Sequence, residues 1–84
     1  MPSKSAVVTR FSNILYHSPL DLPLTGKDYE FVSANALRFV TLTSDISKIV
    51  PTNSGSFQRH FNIHLDDGSV HRFNYREAVD QLYA

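Results

Sequence analysis

The 84 residues suffice for one small domain, spanning the whole chain. Such a chain buries only roughly 60–65% of its unfolded surface. Eight acidic and eight basic residues give a formal charge of zero. That balance disfavours a dedicated duplex-binding protein, which needs a basic excess to neutralise phosphates. The absence of cysteine removes disulfide and thiol chemistry and points to a cytoplasmic setting. No apolar run approaches the ~20 residues of a membrane helix.

In chain order, residues 1–5 lack a following apolar core long enough for a signal peptide and read as a frayed tail. Residues 6–11 (AVVTRF) suggest a strand. Residues 12–17 either continue it or turn into a short helix, and the sequence leaves residues 6–17 open between strand and helix. Residues 18–26 (SPLDLPLTG) form a loop, because two prolines and a glycine forbid a regular element. Its three leucines imply that it lies against the domain. Residues 29–33 (YEFVS) read as a strand and residues 34–36 as a turn. Residues 37–43 (LRFVTLT), β-branched and aromatic, read as a strand buried on both faces. Ser44 and Asp45 break it. Residues 46–50 are a short strand or one helical turn, and residues 51–55 (PTNSG) an exposed loop.

The last third is the most legible part. From Phe57 the odd positions are Phe57, Arg59, Phe61, Ile63 and Leu65, and the even ones Gln58, His60, Asn62 and His64. This alternation is that of a strand with one buried face. The run stops at Asp66-Asp67-Gly68-Ser69, where Asp tolerates turn conformations and Gly supplies φ > 0. A three-residue loop sets odd positions opposite odd ones, so Phe73 and Tyr75 join Phe61, Ile63 and Leu65. A two-residue loop would set Ile63 against Arg72 and swap the faces. Asn74, with Glu77 three residues on, has the spacing of a capping box. Tyr75, Ala78, Val79 and Leu82 then form one helical stripe. The predicted fold is α+β: a small antiparallel sheet, a meander of four to six strands, with a short C-terminal helix packed on it. Parallel units need longer crossovers than this chain has room for.

Few residues stand at spacings that chemistry requires. His60 and His64 would share a metal on a helix, but four residues of strand span about 13 Å. Asp66-Asp67-Gly68 lacks the twelve-residue calcium pattern. There is no G-x-S-x-G elbow, and the three glycines, at 26, 55 and 68, are too scattered to cradle a phosphate. No catalytic residue, cofactor or metal ligand is assigned, and the chain is not expected to be an enzyme.

One constellation stands out. His60, Asn62 and His64 share the polar face of the hairpin, Arg72 should lie across from Asn62 or His64, and Gln58 and Asn74 extend it. This is a donor-rich candidate partner face. Its expected use is protein–protein interaction, by a small regulator or inhibitor of the kind that phage and mobile elements encode in number. The partner is another protein or a second copy of this chain, since zero net charge removes self-repulsion. The alternative is single-stranded nucleic acid, because basic and aromatic residues interleave at Arg59, His60, Phe61, His71, Arg72, Phe73, Tyr75 and Arg76. No membrane partner is expected.

Residues Ser44-Asp45-Ile46, Phe61-Asn62-Ile63-His64-Leu65-Asp66-Asp67-Gly68 and Glu77-Ala78-Val79-Asp80-Gln81-Leu82 loosely resemble the first half of LytTR-type DNA-binding domains. The resemblance covers under half of the chain, and the basic second half of such a domain has no counterpart within it.

Overall fold

Residues 3–5 of the expected tail form the cap and start of a helix, and residues 1–2 lie outside the described residues. In the computed structural model, which describes residues 3–39, 41–53 and 59–82, the Ser3 side chain accepts the Ala6 amide at 3.2 Å. This satisfies one of the donors that a helix leaves orphaned at its start. Helix α1 runs Lys4–His17 and ends where the Ser18 amide reaches the Ile14 carbonyl. Its buried residues are Val7, Phe11, Ile14 and Leu15, spaced i, i+4, i+7 and i+8, which is one stripe of a helix. That stripe outweighs the β-branched content of residues 6–11, and residues 6–17, open between strand and helix in the sequence, are helix.

Residues 18–25 of the predicted 18–26 loop lack regular structure and lie against the domain, while Gly26 begins the next helix. The Asp21 and Leu24 amides donate to the carbonyls of Pro51 and Ile49, each at 2.8 Å. Helix α2 follows at Gly26–Phe39. Gly26 sits at φ 60°, a conformation that glycine adopts without a Cβ penalty. The strand predicted over residues 29–33 and the turn over 34–36 are both inside α2, with Val32 and Ala36 buried. The strand predicted over residues 37–43 is also replaced. Residues 37–39 finish α2, residues 41–45 connect without regular structure, and Val40 lies outside the described residues.

Strand β1 (Ile46–Asn53) resolves the ambiguity at residues 46–50 in favour of strand. It also takes in residues 51–53 of the expected exposed loop, with Pro51 fully buried, while residues 54 and 55 lie outside the described residues. Strands β2 (Arg59–Leu65) and β3 (Val70–Phe73) form the expected hairpin. The sheet has three strands in the order β1-β2-β3, all antiparallel. Three strands among the described residues replace the four to six expected, because the N-terminal candidates became helices.

The hairpin register is the one required by the three-residue loop. Phe61 faces Phe73, Asn62 faces Arg72, Ile63 faces His71 and His64 faces Val70. The Leu65 amide donates to the Ser69 carbonyl at 2.9 Å, and the Gly68 amide, at φ 89°, returns to the Leu65 carbonyl.

Helix α3 (Tyr75–Leu82) begins where predicted, with the Asn74 side-chain oxygen accepting the Arg76 amide at 3.0 Å. Tyr75, Ala78 and Val79 are buried; the Leu82 side chain lies outside what is described.

One cluster joins the helices to the odd-numbered face of the sheet. Phe11 is its centre. Its ring lies 4.8 Å from Phe31, 6.3 Å from Phe61, 6.0 Å from Phe73 and 5.4 Å from Tyr75 by centroid. Burying several such rings is the largest stabilising term available to so small a domain.

Candidate interaction face

Side chains alternate across a strand. The odd residues of the sheet meet the helical layer, so the even residues form the outer face. The register arranges them in three rows. Lys48, His64 and Val70 make the first, and Val50, Asn62 and Arg72 the second. Thr52 and His60 make the third, with Asn74 one register step beyond the Phe61–Phe73 pair.

The predicted residues fare differently within this array. Asn62 and His64 are half-buried on the outer face, and Arg72 is exposed directly across from Asn62. Asn74 is exposed, but its side chain serves as the cap of α3. His60 departs from expectation: it is only 6% exposed, and its Nδ1 has no hydrogen-bond partner. It lies on the central strand, with Thr52 beside it on β1, so it is screened in a way that alternation alone does not foresee. Gln58 lies outside the described residues. His71 is not part of this face, since it pairs with Ile63 on the side of the helices.

Lys48, Val50, Thr52 and Val70 belong to the face and were not predicted. Residues 46–50 (ISKIV) do not alternate, and the register shifts between Ile46 and Lys48, so only the pairing with β2 places the β1 residues on this face. The nine positions carry two full cations, Lys48 and Arg72, two histidines and no carboxylate. A chain of zero net charge therefore presents a one-signed sheet face.

Two rim acids, Asp21 and Asp67, are already engaged. The Thr52 hydroxyl donates to Asp21 Oδ1 at 3.2 Å. Asp67, in the turn, accepts from the Ser69 hydroxyl and, at 2.9 Å, from the Ser69 amide, and from the Thr43 hydroxyl at 3.0 Å. These Ser69 bonds, side chain first, then the Thr43 bond, hold the Asp67 carboxyl below the usual carboxylate range.

The two sheet edges differ. On β1 the outward carbonyls of Ile49 and Pro51 are taken by the loop at Leu24 and Asp21. Pro51 is tolerated there because a proline with no amide fits an edge. On β3, the Leu65–Ser69 bond fixes Ile63–His71 and Phe61–Phe73 as the hydrogen-bonded pairs. The amides and carbonyls of Val70 and Arg72 therefore point away from β2, and no described residue meets them.

On the helical layer, an open cleft of about 550 Å³ lies along α1 beside Phe31. Its cation, Arg10, is already placed over the Phe31 ring at 5.3 Å and 3.9 Å from Asp28. No acid–base pair converges there. Among the described residues, no group of three His, Asp or Glu could hold a metal ion, and no helix is long and apolar enough to cross a membrane. No family model, no curated protein and no solved structure matches this chain, so the partial likeness to LytTR-type domains is carried no further.

Proposed function

We propose that this chain is a non-enzymatic protein–protein interaction module, a small regulator or inhibitor that acts by covering part of its partner. The observation that carries this reading is the outer sheet face, with Lys48, His64 and Arg72 around Asn62 and no carboxylate among its nine positions. Such a face complements an acidic surface, and like-signed charges speed encounter with it and penalise basic competitors.

Single-stranded nucleic acid is the second reading, favoured by the same cations. It is weakened by the fate of the aromatic rings. Phe61, Phe73 and Tyr75 are buried in the core and cannot stack on bases, which is where such binders gain much of their affinity.

The test is a pull-down from native lysate, with and without nuclease, using the wild type and the double variant Lys48→Glu, Arg72→Glu. A protein held by the wild type after nuclease treatment and lost by the variant supports the first reading. A catch that disappears with nuclease replaces it with the second. Capture that is unchanged in the variant removes the outer face from either.

A further inference from the structure

We infer that the partner docks as an added β-strand on the edge of β3 at Val70 and Arg72, and that it is a polypeptide with acidic side chains on the outer side of the sheet. This deepens the reading of the outer face as the partner-binding surface and rests on it. Three observations meet at this edge. First, the opposite edge of the sheet is closed by residues 21–24 and by Pro51, while the outward backbone groups of Val70 and Arg72 meet no described residue. An open row of amides and carbonyls is a template for another strand. Second, Val70 is 50% exposed, so an apolar side chain stands uncovered beside those groups. Third, Arg72 is exposed and makes no ion pair among the described residues.

The register of such a strand follows from the geometry. Val70 and Arg72 each offer one amide and one carbonyl, so an extended partner gains two hydrogen-bonded pairs across residues 70–72. The partner residues facing Val70 and Arg72 project onto the outer face, and the one between them projects towards the helices, beside His71. An acidic residue level with Arg72 forms a cross-strand charge pair, and Lys48 and His64 extend the positive field across the sheet. Nucleic acid has no main-chain amide ladder to add here. The edge therefore selects a polypeptide, and the charge selects an acidic one.

The experiment measures fluorescence anisotropy of a labelled, end-blocked peptide, Thr-Glu-Val-Glu-Val-Glu, with the intact 84-residue chain. Comparison probes are the same peptide N-methylated at alternate amides, its Lys-for-Glu counterpart and an oligothymidylate. Val70→Pro deletes an outward amide and leaves the bonds to β2 in place; Arg72→Glu reverses the charge. Melting curves confirm that both variants fold. The acidic peptide should bind, and N-methylation and Val70→Pro should each weaken it by about tenfold or more, with Arg72→Glu and the Lys peptide losing at least about fivefold.

Equal binding of the methylated peptide and by Val70→Pro overturns the strand-addition proposal. If Arg72→Glu still abolishes binding in that case, the outer face remains the docking surface and only its mode is wrong. No binding of the acidic peptide at millimolar concentration also overturns it, as does tighter binding of the oligothymidylate. Sedimentation gives the remaining outcome: self-association removed by Val70→Pro would make a second copy the occupant and overturn the acidic one.

Discussion

The guanidinium of Arg59 donates from Nη1 to the Leu15 carbonyl at 3.0 Å, joining the first residue of β2 to the last turn of α1. That carbonyl is one of the four that α1 cannot satisfy internally, and a cation at a helix C-terminus also meets the negative end of the dipole. The same guanidinium lies 5.4 Å from the centre of the Tyr16 ring. Arg59→Ala should therefore lower stability by about 1–2 kcal/mol, through lost capping and lost stem packing. Urea unfolding of Arg59→Ala against Arg59→Lys reads this. A cost below about 0.3 kcal/mol would mean that the contact contributes nothing beyond water.

The two faces of β2 should respond very differently to truncation. Phe61 is fully buried, and Phe61→Ala should cost about 3–5 kcal/mol, a large part of the stability of so small a domain. His64→Ala, on the outer face, should cost less than about 0.5 kcal/mol. Thermal melts of the two variants decide it, and similar losses would contradict the register.

His60 makes a separate prediction. A buried polar atom with no partner costs about 1–3 kcal/mol, and an apolar replacement of similar shape removes that cost. His60→Leu is expected to be neutral or up to about 1 kcal/mol more stable in urea unfolding. If the variant also loses partner capture, the unpaired ring nitrogen is retained for binding. A clear loss of stability would show instead that the nitrogen is bonded in solution.

Acid should act on the hairpin turn through Asp67. Its carboxyl is held below its ordinary value of 3.8 by the Ser69 bonds and then the Thr43 bond. A lowered folded-state value means that the charged form stabilises the fold. That contribution is present above the ordinary value and is lost as the pH falls through the folded one. Asp67→Asn cannot follow this titration. The gap in urea midpoint between wild type and Asp67→Asn should therefore narrow from about pH 6 to about pH 2.5. A constant gap would place the acid sensitivity elsewhere.

The C-terminal third was legible in the sequence because its information is local. Asp66-Asp67-Gly68 fixes a three-residue loop, the loop fixes odd against odd, and Asn74 with Glu77 marks the start of α3. Each of these signals acts within a few residues and needs no distant partner.

The N-terminal half carried a competing pair of signals. Residues 6–11, 29–33 and 37–43 are rich in β-branched and aromatic side chains, which favour strand by propensity. Yet Val7, Phe11, Ile14 and Leu15 on α1, and Val32 and Ala36 on α2, recur at helical spacing. Packing settles such a conflict. As helices, residues 6–11 and 29–33 put Phe11 among Phe31, Phe61, Phe73 and Tyr75, and burial of that cluster outweighs a propensity difference of about 1 kcal/mol or less.

For the candidate face, the sequence by itself determined that His60, Asn62 and His64 share one side of β2, because alternation is a property of the strand alone. Only the tertiary structure decided that His60 is screened, that Lys48 and Thr52 complete the array, and that the outward groups of Val70 and Arg72 on β3 meet no described residue. Those outcomes depend on which strands pair and which loop covers which edge. Contacts such as Asp21 to Pro51 and Leu24 to Ile49 join residues far apart in the chain, and no local pattern encodes them.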